Sequence, residues 1–319
     1  MENAIETVNL TKIFGRFGKR LTAVNNLNLS IEKGTVYGFI GPNGAGKTTT
    51  IKMLVGAMRA TKGKASILGH SAGTVKAKAS IGYSSEHPNF YSMSAVDFLV
   101  YSAKLCGMPQ KEARSKADEL LAWMGLENFR DRNARNFSSG MKQKLSIVQA
   151  LIHDPEILIL DEPTANLDPI GRHEVLDKIR ALATKQNKTI FVSSHILQEL
   201  EKVVDHVAIV NKGNAIMQGD MTELRKKFSE KHFVVDTTNN EKFMKTISGL
   251  NGVEKAWMNQ HMKIEATVKN PLSFKKALFS AFKGHEQDLT EFAPFTMSLE
   301  NIFMKVIEKA EGENHGLNK

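Results

Sequence analysis

The hydrophobic pattern changes period along the chain. Residues 7–10 and 27–31 alternate apolar with polar, as strands with one buried face do. Between them residues 12–21 are basic and carry Phe14 and Phe17. Val36-Tyr37-Gly38-Phe39-Ile40 is a short apolar run, read as a buried strand, and Ile51, Leu54 and Val55 follow at helical spacing. Glu32-Lys33-Gly34 and Lys62-Gly63-Lys64 read as turns, and residues 65–68 and 81–83 as short strands. From residue 94 to about 152 the period is helical. Val96, Leu99 and Val100 begin one helix, Ala113, Ala117, Leu120, Leu121 and Met124 form a second face, and Ser138 opens a third helix that Asp154-Pro155 stops. Ile157-Leu158-Ile159-Leu160 is a fully apolar strand. Then come helix 174–186, strand 189–193, helix 196–203, and strands 206–210 and 215–218 around the hairpin signal Asn211-Lys212-Gly213-Asn214.

Strands alternating with helices predict a mainly parallel α/β sheet, interrupted by the helical block at about 94–152. After Gly219-Asp220 the pattern changes to a helix to residue 228, then strand, helix, two strands, helix and strand, then a last helix over 298–310. That order, β-α-β-β-α-β, reads as a small ferredoxin-like α+β unit. The expected organisation is residues 1–219 as one domain, 220–311 as an accessory domain, and 312–319 as a polar, disordered tail.

The 319 residues are ample for two cores without staples. A single cysteine, Cys106, excludes an internal disulfide framework or cysteine zinc site, and reads as a small buried apolar residue. No apolar run approaches the roughly 20 residues needed to span a membrane, and the acidic start Met1-Glu2-Asn3 is not a signal peptide. Residues 1–219 carry 28 Lys and Arg against 20 Asp and Glu, while residues 220–319 carry 15 against 14. The positive excess therefore lies in the first domain, where it suits a polyphosphate, an anionic membrane surface or nucleic acid.

Gly41-Pro42-Asn43-Gly44-Ala45-Gly46-Lys47-Thr48-Thr49 decides among these. It has the phosphate-loop spacing G-x-x-x-x-G-K-[ST], with a strand before it and a helix after it. The glycines let backbone amides wrap a polyphosphate, and the helix N-terminus adds positive dipole. Lys47 would reach the outer phosphates of ATP and Thr48 would offer its hydroxyl to Mg²⁺. A glycine-rich turn alone would account for neither the Lys-Thr pair nor both flanking elements. Asp161 and Glu162 end an apolar strand, where ligands bind in open α/β sheets. Asp161 fits a second Mg²⁺-associated carboxylate, and Glu162 could take a proton from an attacking water. His195 ends another predicted strand on the same edge. Alone it would read as structural; beside the rest it reads as facing the phosphates.

With these motifs in this order, the chain resembles the ATP-binding subunit of an ABC transporter over about residues 5–220. Phe137-Ser138-Ser139-Gly140-Met141 looks like that family's signature, Ala165-Asn166-Leu167-Asp168 like its D-loop, and His195 matches its switch histidine. Phe14 matches the aromatic that stacks on adenine, with Phe17 as the alternative. Glu86 falls at the usual Q-loop glutamine, where its oxygen would serve Mg²⁺ or water. The resemblance implies a phosphate-loop core with an N-terminal antiparallel β-subdomain. It also implies a pair of subunits, identical or paralogous, holding ATP between the phosphate loop of one and the Ser138 helix of the other. A polytopic membrane permease would be the further partner, with no nucleic acid expected, placing the chain on the cytoplasmic face of the membrane. Aromatic residues after Glu86, among them Phe90, Tyr91, Phe98 and Tyr101, are expected to form part of the permease groove. Ser298-Leu299-Glu300-Asn301-Ile302-Phe303 resembles an ending of drug, antibiotic and peptide exporters, and reads equally as a capped helix with its apolar face on a core.

Three residues depart from the family pattern. Glu86 replaces glutamine, adding charge and removing an amide donor. Ser139 replaces a signature glycine, and Met141 replaces a glutamine. Two rival readings remain: a soluble ABC-type ATPase acting on ribosomes or nucleic acid, and a C-terminal unit that senses a small molecule.

Overall fold

The structure is a computed structural model that describes residues 2–15, 19–284 and 288–316, with side chains to residue 309. Phe17, the alternative adenine-stacking residue, lies outside the described residues. The chain divides into two compact units, residues 1–220 with 306–319, and residues 221–305.

The first unit contains two sheets. In one, β1 (Asn3–Phe14) lies between β2 (Leu21–Glu32) and β4 (Lys62–Ile67), with β5 (His70–Ser71) at the edge, all antiparallel. The expected turn at Lys62-Gly63-Lys64 is instead the start of β4. Gly63 has φ +78°, and a Cβ on it would stand 2.2 Å from Asn9 O. The glycine therefore serves a bulge, where the register of β1 on β4 shifts between Val8 and Thr11. The second sheet has the order β10-β9-β3-β8-β7-β6. Its parallel members are β3 (Val36–Ile40), β6 (Ile81–Ser84), β7 (Ile157–Asp161), β8 (Thr189–Ser194) and β9 (His206–Asn211). β10 (Asn214–Asp220) pairs antiparallel with β9 through a two-residue turn, Lys212 at φ 46° and Gly213 at φ 81°. Every residue of β3, β7 and β8 is buried, as expected of central parallel strands.

Helix α1 (Lys47–Leu54) follows β3, and the short α2 (Val75–Ala79) precedes β6. The helical block holds α3 (Ala95–Leu105), α4 (Gln110–Met124) and α5 (Ser139–Leu151). Ser94 caps α3 through Asp97 N–H, Ser138 caps α5 through Met141 N–H, and Gly125 at φ 74° ends α4. Cys106 is exposed at the C-terminal end of α3 rather than buried, because that turn faces away from the apolar side of the helix. Helix α6 (Pro169–Gln186) starts five residues before the expected position. Pro169 occupies its first turn and Asp168 Oδ1 accepts from Gly171 N–H at 2.7 Å. Helix α7 (Leu197–Leu200) is a single turn.

The second unit begins with α8 (Met221–Ser229), followed by β11 (His232–Thr237), α9 (Asn240–Ser248), β12 (Val253–Met258), β13 (Ile264–Val268), α10 (Pro271–Ala281) and β14 (Leu289–Pro294). Its sheet order, β12-β13-β11-β14, all antiparallel, is the ferredoxin-like topology read from the sequence. Strand β13 begins at Ile264, just after Met262 at φ 60° in the hairpin turn. Phe233, Val235, Ile264 and Ala266 face a core shared with Ile247, Phe274, Leu278 and Phe282. The last helix, α11, runs Leu299–Gly316, through the first part of the segment expected as tail. Glu308, Lys309, Ala310 and Glu311 are strong helix formers and carry it on.

Candidate functional site

Strand β3 runs directly into the phosphate loop. Gly41 has no room for a side chain, because a Cβ there would stand 2.3 Å from Val210 O. Gly46 takes φ +100°, and its Cβ would stand 2.3 Å from Ala23 O. Both glycines are therefore needed for the loop to turn under the adjacent strands. The loop lines a cavity of about 460 Å³ with Phe14, Pro42, Asn43, Gly44, Ala45, Thr48, Thr49, Glu86 and Glu162 around it. Phe14 is partly exposed at its rim, with Lys12 Nζ 5.3 Å from the ring centroid. Lys47 is buried; its Nζ donates to Gly41 O at 2.8 Å and stands 3.4 Å from Glu162 Oε1.

Glu162 is the most constrained residue of the site. Its side chain is 5% exposed, and its backbone takes φ 50°, a left-handed conformation that costs a non-glycine residue about 1–2 kcal/mol. Two contacts to Ser193 hold it there: Glu162 N–H donates to Ser193 O at 3.2 Å and lies 3.1 Å from Ser193 Oγ. Ser193 Oγ in turn donates to Asp161 Oδ1 at 2.6 Å. Glu162 Oε2 stands 2.8 Å from His195 Nδ1, while its other oxygen faces Lys47. One carboxylate thus bridges the phosphate-loop cation and the imidazole. Strained backbone held by surrounding bonds marks functional positions.

Asp161 is buried at the end of β7, behind Glu162. Glu86 borders the cavity, half-exposed, with its Oε1 3.7 Å from His87 Nε2 and its backbone carbonyl accepting from Asn166 Nδ2 at 3.4 Å. Burial, then the charges of Asp161 and Glu86, push the Tyr83 hydroxyl up to about 12.

The remaining motif residues occupy a separate surface. Ser138, Ser139, Gly140, Asn166 and Asp168 line a second cavity of about 430 Å³. Gly140 packs closely there, where a Cβ would stand 3.2 Å from both Asn166 O and Leu167 Cδ2 and would press them aside by a few tenths of an ångström. Met141 and Ser139 are accommodated at the open helix start, and Ser138 and Ser139 are exposed. The motif residues therefore line two separate cavities on one chain, while Asp161 and His195 line neither and stand behind Glu162.

Sequence reasoning missed three groups. Ser193 organises both carboxylates, and its signal was a hydroxyl pair, Ser193-Ser194, ending an apolar strand. Ser84 and Ser146 meet in the core, Oγ to Oγ at 2.9 Å. Gln143, fully buried, reaches Ser85 O at 3.5 Å. Of the aromatic residues after Glu86, Phe90 and Phe98 fill the helical block, edge to face at 4.9 Å, while Tyr91 and Tyr101 stay exposed.

The donor set fits Mg-ATP. Thr48 and Asp161 supply hard oxygens, and Mg²⁺ held with a nucleotide needs one or two protein ligands beside the phosphates and water. The loop's glycines leave the backbone open to phosphate oxygens. No group of three or more metal-ligating side chains occurs among the described residues. No helix among them is long and apolar enough to cross a membrane.

A family model described as ABC transporter matches residues 24–165. The bacitracin transport ATP-binding protein BcrA of Bacillus licheniformis is 43% identical over 230 residues, covering 71% of this chain and 73% of that protein. The linearmycin resistance ATP-binding protein LnrL of Bacillus subtilis (strain 168) is 30% identical over 308 residues, covering 95% and 97%. The fold matches a dimeric, post-hydrolysis ATP-binding cassette, MJ0796 bound to ADP and Pi, with TM-score 0.64 and 22% identity, over 68% of this chain and 98% of that one. An ATP-binding subunit of an ABC transporter matches with TM-score 0.63 and 28% identity, over 70% and 93%. The chain belongs to the ATP-binding subunits of ABC transporters, in the branch similar to drug and antibiotic exporters: it is an ATPase that binds ATP with Mg²⁺ and serves a membrane permease, rather than a soluble ATPase of ribosomes or nucleic acid.

Proposed function

We propose that two copies of this subunit, or one copy and a paralogue, close around two ATP molecules and drive export of an antibiotic, drug, peptide or lipid-like molecule through the permease. The observation that carries this reading is the pair of incomplete cavities. The phosphate-loop cavity is lined by Phe14, the loop, Glu86 and Glu162, with Asp161 and His195 behind Glu162, and the Ser138 cavity lies apart from it at the exposed start of α5. Two antiparallel copies place each beside the other.

In this reading Phe14 stacks on the base, and the amides of residues 41–49 with Lys47 hold the phosphates. Thr48, Asp161 and Glu86 would hold Mg²⁺, which would supply positive charge to neutralise the phosphates. Glu162 accepts the proton of the attacking water, because its carboxylate already stands at the cavity wall. His195 orients that carboxylate and, with Lys47, stabilises the charge that develops on the transferred phosphoryl group. Ser138 and the α5 amides bind the γ-phosphate of the partner's nucleotide, so closure requires ATP and hydrolysis releases it. Asp168 keeps the D-loop in place by capping α6. The exposed Tyr91 and Tyr101 belong to the permease groove, on the cytoplasmic side of the membrane. The bacitracin and linearmycin relatives support an antibiotic as cargo.

Gel filtration of Glu162→Gln with Mg-ATP tests the sandwich. The variant accumulates as an ATP-bound dimer, and Ser138→Glu abolishes that dimer by setting a carboxylate against the γ-phosphate. A monomer at all ATP concentrations overturns the reading.

A further inference from the structure

Residues 33–85 hold eight Lys and Arg and no Asp or Glu. Lys47 is absorbed by the phosphate loop. Three of the others, Arg59, Lys64 and Lys78, converge on a separate cavity of about 600 Å³, larger than the phosphate-loop cavity. None of its lining residues is acidic. None of the three cationic side chains has an ion-pair partner among the described residues. Like charges gathered without counter-charges repel one another and raise the local potential, which a bound anion would relieve.

The cavity is built into the fold. It lies at the far end of α1 from the phosphate loop, about 12 Å along an eight-residue helix. A Cβ on Gly56, at φ +72°, would stand 2.3 Å from Gly73 Cα and 3.2 Å from Lys78 Cε. The backbone crossing at Gly56 and Gly73 therefore makes the floor, and the Lys78 stem lies across it. Met53 and Met58 supply an apolar part of the wall. A helix C-terminus disfavours an anion through its carbonyls, and here three of the last four are capped by following amides. Ile51 O, Met53 O and Lys52 O accept from the amides of Val55, Gly56 and Met58. Arg59, Lys64 and Lys78, all exposed, are the charged side chains on its lining.

We propose that this cavity is a second anion site, distinct from the nucleotide site, that binds a phosphomonoester or phosphodiester carrying a small apolar part. Arg59 offers a planar fork for two phosphate oxygens, and Lys64 and Lys78 act as point charges beside it. The volume suits a small organic phosphate or one phospholipid headgroup. Both sources present the same chemistry.

The test uses the full chain with its nucleotide site filled by a non-hydrolysable Mg-ATP analogue. Glycerol phosphate and inorganic pyrophosphate are titrated by calorimetry, and sedimentation is measured with phosphatidylglycerol and phosphatidylcholine vesicles. Each cation removed should weaken binding about tenfold, as expected for charge-assisted bonds to phosphate. Arg59→Gln/Lys64→Gln/Lys78→Gln should abolish it, with ATP turnover in the absence of added anion unchanged. Lys78→Met keeps the stem over Gly56 and removes only the charge, so a loss there separates binding from folding. Loss confined to the soluble probes assigns a free phosphate ester. Loss confined to phosphatidylglycerol vesicles assigns a lipid headgroup. Binding by the triple variant equal to that of the parent chain, or no binding of any probe by the parent chain, overturns the proposal.

Discussion

The two units bury polar groups in different places. In the ATP-binding unit the parallel strands carry few polar side chains, and the buried polar groups of the site gather at or just beyond their C-terminal ends: Lys47 after β3, Ser84 on β6, Asp161 and Glu162 after Leu160, Ser193 and Ser194 on β8; Thr189 at the start of β8 and Thr7 and Thr11 on β1 are buried away from that edge. In the C-terminal unit the antiparallel strands alternate, and buried polar groups lie on a sheet face. His232 on β11 meets Glu265 on the neighbouring β13 at 3.0 Å, stacked on Phe295 at 4.3 Å and tilted against Trp257 at 5.3 Å. A sheet with two apolar faces can place chemistry only at its edge, where all strand ends point the same way. A sheet with one apolar face spreads its polar groups along the other face, where they support packing without converging.

The contrast predicts effects of different kind and size. Glu162→Gln should keep ATP binding and lower turnover by roughly 10²–10⁴-fold, measured in a single-turnover assay. Unchanged single-turnover hydrolysis would remove Glu162 from the role of base. Phe274→Ala, in the core of the second unit, should destabilise that unit by about 3–5 kcal/mol, the cost of an aromatic-sized cavity. Hydrogen exchange should rise across β11 and β13 and stay low across β7. Equal exchange gains in both units would make them one cooperative body.

Ser138→Ala removes the cap of α5 and should cost about 1 kcal/mol of local stability, seen as faster exchange in the first turn of that helix. A pH effect should be smaller. Burial holds His232 neutral and lowers its pKa; Glu265 opposes this and Lys305 assists it. The unfolded chain then binds more protons than the folded one as pH drops below the unfolded value of about 6.5. Stability from this group is complete above that pH and is lost as pH falls through the window below it. His232→Phe should flatten the exchange of β11 between about pH 7.5 and pH 5.5, leaving the parallel effect of His153, whose pKa burial also lowers, in the first unit. An unaltered β11 profile in the variant would assign the pH response elsewhere.

Much of this was legible in the residue pattern. The phosphate loop, the carboxylate pair after β7 and the ferredoxin-like order all follow from local spacing. Residue-type signals misled where a distant strand, a neighbouring cap or a helix end set the conformation. Lys62-Gly63-Lys64 has the composition of a turn, yet β1 recruits it into a bulged strand. The apolar spacing placed the start of α6 at residue 174, yet Asp168 caps it and Pro169 fills its first turn, five residues earlier. Cys106 looked like core because cysteines usually are, but its place at the end of α3 faces out.

By itself the sequence determined which residues can handle phosphate and metal, because amide exposure, hard oxygens and cation reach depend on residue type and short-range spacing. Only the tertiary structure decided that Glu162 is held at φ 50° between Lys47 and His195 by Ser193. It also decided that Ser138 opens on a cavity separate from the phosphate loop, and that Arg59, Lys64 and Lys78 share a third. These meetings join segments up to about 150 residues apart, and such pairings are fixed by how strands stack rather than by any local preference of the chain.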